Sequence, residues 1–128
     1  MEINRPEVLA EVQAAFARYE DALVNNKVEI LDELFWDSGS TIRYGIGENL
    51  YGIEQIRAFR NARPAAGVAR TLSNTVITTY GSDFATAMTE FQRGDPQKVG
   101  RQSQTWARTP AGWRVVAAHV SVIARPAG

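Results

Sequence analysis

The sequence predicts an α+β fold in which three helices cover one face of a curved, mostly antiparallel sheet. Apolar residues recur at spacings of three and four in three segments of the first half, which is the helical pattern. The second half is a run of Thr-, Val- and aromatic-rich segments, separated by turns that contain Gly or Pro. Because 128 residues suit one core, residues 1–128 are expected to form a single domain.

The first helix is predicted to begin after Asn4, which can cap it, with Pro6 in its first turn. Its apolar stripe runs to about Val24, where two asparagines end it. Tyr19 lies within the stripe, so its ring is expected to face the core.

Two shorter helices are predicted further along the chain. Residues 27–35 turn apolar side chains inward and place Trp36 at the end of the segment. Residues 53–60 form the other helix, which should end near Pro64 because proline cannot continue a helix.

Strands are predicted where β-branched and aromatic residues lie between turn residues. They are residues 41–44, 70–80, 84–93, 100–108 and 113–124, with a brief extended piece at 50–52. The last two form a long hairpin around a turn at residues 109–112. In the first strand Arg43 points away from Ile42 and Tyr44, because side chains alternate along a strand.

The last strand divides into two faces by its period of two, and both are largely apolar. One face is predicted to carry Trp113, Val115, Ala117, His119, Ser121 and Ile123. Such a strand belongs in the middle of a sheet, with helices on one side and a second subunit on the other. His119 and Ser121 interrupt their apolar face and are therefore candidate site residues.

Composition and charge argue against several classes of function. The formal net charge is +0 and the arginines are scattered, so nucleic acid and membrane surfaces are poor partners. Without cysteine there is no disulfide or thiol nucleophile, and a single histidine argues against a transition-metal site; no cofactor is implied. The sequence has no export signal or membrane-spanning stretch, so a cytoplasmic location is expected.

The order of elements resembles the nuclear transport factor 2-like superfamily, a cone in which a bent sheet and three helices enclose a pocket. Residues 50–56 (LYGIEQI) resemble its glycine-then-helix signature, and residues 112–121 (GWRVVAAHVS) resemble its final strand. This resemblance implies that the helices pack on the concave face of the sheet.

Four segments resemble the AtzH-like family more narrowly, and the similarity runs over nearly the whole chain. They are residues 16–19 (FARY), 31–36 (LDELFW), 41–45 (TIRYG) and 100–106 (GRQSQTW). The family includes proteins of cyanuric acid and s-triazine catabolism and the related HpxZ proteins of oxalurate catabolism.

The resemblance implies a cofactor-independent, amidohydrolase-type enzyme that converts 1,3-dicarboxyurea to allophanate and releases carbon dioxide or bicarbonate. It implies Tyr19 and Arg43 as catalytic residues and a partner amidase in the same pathway. The alternative is a non-catalytic binding or scaffolding subunit of an amidase in nitrogen-compound catabolism. An isomerase or cyclase would need a strong carboxylate base in the pocket, and none stands out in the sequence.

The chemistry of Tyr19 and Arg43 supports a pocket for a small anionic urea derivative. Arg43 is a surface residue or, if it lines the cone, a buried guanidinium that needs an anion such as a substrate carboxylate. Tyr19 is a core aromatic or, beside a guanidinium, a phenol that handles a proton at the leaving carbamate nitrogen.

Gln102 and Gln104 share one face of their strand and are predicted to bind the carbonyl and N–H groups of a urea. The sequence leaves open whether they face the pocket or whether Arg101 and Ser103 do.

His119 and Ser121 are predicted to hold the urea core with the glutamines, although His119 is as readily a core histidine. Without an orienting carboxylate, Ser121 is not expected to be a nucleophile. Trp36 closes the pocket mouth or only packs. A homodimer through the outer face of the sheet is also expected.

Overall fold

A computed structural model describes residues 1–63 and 69–126 of the chain. Its helices are α1 (Pro6–Val24), α2 (Val28–Leu34) and α3 (Ile53–Asn61). Its strands are β1 (Ile42–Tyr44), β2 (Asn49–Tyr51), β3 (Thr71–Tyr80), β4 (Phe84–Gln92), β5 (Lys98–Thr109) and β6 (Gly112–Ala124). The predicted α+β layout is confirmed, whereas the expected helix end near Pro64 lies outside the described residues.

The six strands form one sheet in the order β2-β1-β6-β5-β4-β3. β1 runs parallel to β6, and the other neighbouring strands are antiparallel. β6 therefore lies inside the sheet, as its apolar faces predicted. Buried residues of all three helices share one core with Trp106 of β5 and Val115 of β6. We call this side of the sheet the inner face and the opposite side the outer face.

A bulge changes the direction of the side chains along β6. In its pairing with β5, Thr105 lies opposite Ala117 and Trp106 lies opposite Val115, so Val116 is an extra residue. An extra residue of this kind shifts the alternation of the strand by one. Residues after the bulge therefore point to the face opposite to the one that a strict period of two, counted from Trp113, would give.

The predicted common face of β6 is wrong for this reason. Trp113 and Val115, before the bulge, are buried on the inner face. His119 pairs with Ser103 and Ser121 pairs with Arg101, and these four side chains lie on the outer face. His119 is exposed, so it is not a core histidine either.

Asn4 does not cap α1. The helix begins after Arg5 and has no side-chain cap. Asn4 has a φ of 58°, and its Oδ1 accepts a hydrogen bond of 2.8 Å from the backbone N–H of Thr79. Its own N–H donates to the Thr79 carbonyl at 3.1 Å. Asn4 thus attaches the start of the chain to β3, because its short amide tolerates a left-handed backbone.

The amphipathic stripe of α1 is buried as predicted. It consists of Val8, Val12, Phe16, Tyr19, Ala22 and Leu23. Full burial of one such large apolar side chain contributes about 1.5–3 kcal/mol, so this stripe is a main source of stability.

Among the described residues, the structure has no helix that is long and apolar enough to cross a membrane.

Gly100 provides a test of the packing on the inner face. A Cβ at this position would overlap the ring of Phe91, which is buried and lies beneath the guanidinium of Arg70. We expect Gly100→Ala to lower the free energy of unfolding by about 1–3 kcal/mol, as measured by urea denaturation. In Gly39→Ala, where a Cβ meets nothing within 4 Å, the change should stay within about 0.5 kcal/mol. Equal effects of the two changes would contradict this packing.

Candidate functional site

A cavity of about 230 Å³ lies on the inner side of the sheet, near the end of α1 and the end of α3. We call it the arginine cavity, and its polar lining consists of Tyr19, Arg43, Glu48, Arg63, Arg70, Arg93 and Gln102. The rings of Phe59 and Phe91 form an apolar part of its wall. Most of its charged groups are guanidiniums, which favours anionic ligands.

Tyr19 is held in the cavity wall by aromatic neighbours. Its residue surface is 4% exposed, and its ring centroid lies 6.1 Å from that of Phe35 and 6.4 Å from that of Trp106. The Trp106 contact is edge-to-face, an arrangement that aromatic pairs prefer. Within the described part of the chain, no hydrogen bond engages the Tyr19 hydroxyl. The hydroxyl is therefore available to a ligand.

Arg43 lies on the inner face, as its pairing with the buried Ala118 requires. Its side chain is 14% exposed, and its Nη1 donates to Oε1 of Glu48 at 2.9 Å. The Gly47 N–H also donates to this carboxylate. A Cβ at Gly45 would overlap the Glu48 carboxylate, so a larger residue there would displace this carboxylate from Arg43. A carboxylate of the chain itself thus holds Arg43.

Gln102 faces the cavity with a free donor. The residue is 3% exposed, and its Oε1 accepts a hydrogen bond of 3.1 Å from Arg70. Because a guanidinium only donates, the amide oxygen must face Arg70, and Nε2 is left without a partner among the described residues. Buried donors usually have partners, so this nitrogen is suited to bind a ligand oxygen.

Gln104 lies two residues further along β5, and its amide is oriented in the same way. Its Oε1 accepts a hydrogen bond of 3.0 Å from the Trp106 indole, which is also only a donor. Its Nε2 is buried and unpartnered among the described residues, although Gln104 is not part of the cavity lining. The structure thus answers the question that the sequence left open: both glutamines point to the inner face.

Arg70 is the most deeply buried cation of the cavity. Its side chain is 3% exposed and forms two hydrogen bonds with the carboxylate of Glu20, at 2.9 and 2.6 Å. Its Cζ lies 4.7 Å from the ring centroid of Phe91. This bidentate pair connects α1 to the start of β3 and fixes the Gln102 amide.

Arg63 follows α3 and also lines the cavity. Burial and the charges of Arg60 and Arg43 lower the pKa of Arg63, while Tyr19 and Glu48 oppose this effect. The Cζ atom of Arg63 lies 5.9 Å from the ring centroid of Phe59, which Arg43 also approaches.

The structure does not bring His119, Ser121 or Trp36 to this cavity. His119 packs edge-to-face on Tyr44, with ring centroids 5.7 Å apart, in an open groove of about 440 Å³ on the outer face. Ser121 accepts a hydrogen bond from Arg101 in that groove. Trp36 is 37% exposed in a separate groove beside the β5–β6 turn. The expectation that all of these residues enclose one substrate is wrong, because the sheet or the core lies between them.

Sequence reasoning missed Glu48, Arg63 and Arg70. Glu48 had a signal, since it follows a Gly-containing turn five residues after Arg43, and a tight turn places such residues side by side. Arg70 and Glu20 are 50 residues apart, so no local pattern could have paired them.

In the described residues, no group of three or more His, Cys, Asp or Glu side chains is placed to hold a metal ion.

Comparison with solved structures gives the class of fold. The chain is similar to a cystatin-like fold protein from Burkholderia xenovorans, with 52% identity, a TM-score of 0.93 and coverage of 98% of this chain and 99% of that one. It is also similar to a nuclear transport factor 2-like superfamily protein from Salmonella enterica, with 27% identity, a TM-score of 0.73 and coverage of 94% of each chain. The fold is therefore the nuclear transport factor 2-like, cystatin-like fold.

The family follows from a more specific match. The AtzH-like family model matches residues 1–126, and the chain belongs to this family. A protein of unknown function from Pectobacterium atrosepticum is 63% identical, with a TM-score of 0.92 and coverage of 95% of each chain. A search of curated proteins found no match. The resemblance seen in the sequence is thus confirmed at the level of fold and family.

Glu20 tests how the cavity wall is held. Glu20→Gln leaves the buried Arg70 without its counter-charge, so we expect a loss of about 2–4 kcal/mol in the free energy of unfolding. Glu33→Gln is the matched control, because Glu33 is exposed and pairs with Arg18 at 2.6 Å and more loosely with Arg114 at 3.8 Å. The loss for this variant should be below about 1 kcal/mol. Urea denaturation followed by tryptophan fluorescence measures both. If Glu20→Gln costs no more than Glu33→Gln, the buried pair does not hold the wall.

Proposed function

We propose that this chain is an amidohydrolase-type enzyme that converts 1,3-dicarboxyurea to allophanate with release of carbon dioxide in cyanuric acid catabolism. The observation that carries the proposal is that Tyr19 and Arg43 line one sheltered cavity together with the unpartnered amide nitrogen of Gln102. These are a proton donor, an anion binder and a carbonyl binder. Membership of the AtzH-like family supports the choice of substrate.

The proposed reaction breaks the bond between a urea nitrogen and a terminal carboxyl carbon. The electron pair of that bond stays on the nitrogen, which takes up one proton, and the carboxyl group leaves as carbon dioxide. The dianion becomes the allophanate monoanion, and one proton is consumed. Charge and atoms balance with this one proton, which Tyr19 supplies and water restores.

Three of the lining groups each have one role in this proposal. Arg43 binds a terminal carboxylate of the substrate in place of Glu48, with which it forms the 2.9 Å ion pair. The Tyr19 hydroxyl gives its proton to the departing nitrogen and regains one from water. The Nε2 group of Gln102 donates a hydrogen bond to the urea carbonyl, which keeps the scissile bond in place. His119, Ser121 and Trp36 have no role in this mechanism.

The catalytic roles are tested by two substitutions. We expect Tyr19→Phe to lower kcat about 100-fold or more, because the ring stays packed while the proton donor is lost. We expect Arg43→Ala to lower kcat/KM about 100-fold, and Arg43→Lys to restore part of it, because lysine keeps the charge but not the two-pronged geometry. The assay follows carbon dioxide release from 1,3-dicarboxyurea by the purified protein.

Tyr51→Phe is the control for Tyr19→Phe. Tyr51 is 52% exposed on the outer face and is hydrogen-bonded to Tyr44, so the loss of its hydroxyl should change kcat less than about twofold. Activity of Tyr19→Phe equal to that of Tyr51→Phe would reject the role of Tyr19. A wild-type protein that binds dicarboxylates but releases no carbon dioxide would instead be a binding subunit of an amidase.

The outer face of the sheet supports the further proposal of a homodimer. Its exposed apolar side chains are Tyr51, Val76, Phe84, Met88 and Ile123. These side chains lie on β2, β3, β4 and β6 and so extend across the sheet, and exposed apolar groups on one face of a sheet favour an interface there. No helix of the described residues covers this face, and a second copy would present the same surface.

The dimer proposal is tested by mass in solution. We expect sedimentation equilibrium to give twice the 14.1 kDa of one chain for the wild type and one chain for Met88→Glu, because a carboxylate on the outer face opposes its own copy. Ala17→Glu places the same charge on the exposed side of α1 and should leave the dimer intact. A monomeric wild type would reject the proposal.

A further inference from the structure

The arginines that line or adjoin the cavity differ in whether a carboxylate neutralises them and in how far they are buried. Arg93 also lines the cavity and has no ion pair among the described residues, but its side chain is exposed, whereas Arg63 is half-buried. Arg43 is 2.9 Å from Glu48, Arg70 is 2.6 Å from Glu20, and Arg60 is 2.9 Å from Asp32. In residues 1–63 and 69–126, no carboxylate lies within 4.0 Å of Arg63. Arginine stays protonated in proteins, so the charge of Arg63 has no ion-pair partner among the described residues.

Arg63 and Arg43 are held against the same aromatic ring. The Cζ atom of Arg43 lies 5.8 Å from the ring centroid of Phe59, and the Cζ atom of Arg63 lies 5.9 Å from it. Both guanidiniums line the cavity of about 230 Å³, which is small enough for one ligand to reach both. The two like charges repel each other, and an anion between them would remove that repulsion.

We propose that Arg63 is the second anion-binding residue of the site, so that the cavity selects small molecules with two carboxylates over those with one. This inference rests on the proposed function and extends it to the choice between substrate and product. The dianionic substrate engages Arg43 with one carboxylate and Arg63 with the other. Allophanate has a single carboxylate and engages only one of them, so product is released more readily than substrate.

The test uses stable probes that match the substrate in length. Glutarate has three atoms between its carboxyl groups, as 1,3-dicarboxyurea has, and butyrate is the same chain with one carboxyl group fewer. Isothermal titration calorimetry gives the Kd of each probe. We expect the wild type to bind glutarate at least tenfold more tightly than butyrate, because a charge-assisted hydrogen bond contributes about that factor or more.

The substitution Arg63→Gln should weaken the binding of the dianion glutarate and leave the binding of the monoanion butyrate nearly unchanged. We expect the Kd of glutarate to rise about tenfold to a hundredfold, with a change of less than about threefold for butyrate. Arg63→Lys should recover part of the glutarate affinity. Arg57→Gln is the matched control, since it removes the same charge from α3 at a site that pairs with Asp37 outside the cavity, and it should leave both Kd values unchanged.

The outcomes separate this inference from the proposed function. If wild type shows no preference for glutarate, or if Arg63→Gln weakens both probes equally or neither, the role of Arg63 is overturned. If the glutarate preference depends on Arg63 but 1,3-dicarboxyurea is not consumed, the proposed reaction fails while the dicarboxylate site stands. If both hold, Arg63→Gln should also raise KM for 1,3-dicarboxyurea with a smaller change in kcat. Circular dichroism of each variant confirms that it is folded.

Discussion

Guanidinium groups buried beneath a sheet need negative charge close by, and this requirement governs the arrangement of the inner side of the protein. Arg70 and Glu20 meet across 50 residues of sequence, and Arg60 and Asp32 across 28. The first pair connects α1 to the start of β3, and the second connects α2 to α3. Buried ion pairs often add little stability compared with apolar packing, but a misplaced partner is costly. Such pairs therefore fix which surfaces of the helices meet the sheet.

The same cations orient the uncharged groups of the site. Arg70 accepts no hydrogen bond, so it can only turn the Gln102 oxygen toward itself and the nitrogen away. The Trp106 indole, which is also only a donor, does the same to Gln104 and packs edge-to-face with Tyr19. The cavity wall is thus organised before any ligand arrives. Groups held in this way need no reorganisation when charge develops in a reaction, which is the condition for electrostatic catalysis.

Much of the fold could be predicted from local pattern, and much of the site could not. The stripe of α1 and the hairpin of β5 and β6 follow from spacing alone, because helices and strands have fixed periods. The bulge at Val116 reverses the faces of His119 and Ser121. It could not be predicted, because the sequence has no glycine or other turn residue at this point. Ion pairs such as Arg70 with Glu20 depend on tertiary packing, so no local pattern predicts them. The catalytic roles of Tyr19 and Arg43 were predicted from the family resemblance.

Glu48 limits how strongly the cavity can hold an anion. Any carboxylate that binds Arg43 must compete with the Glu48 carboxylate, which is tethered five residues away and is present at a high effective concentration. A single carboxylate exchanges one ion pair for another and gains little. A ligand that also neutralises a charge without a carboxylate partner in the described residues gains a contact with no competing loss. Net affinity in such a site depends on the number of ligand charges, and release follows as soon as a reaction removes one of them.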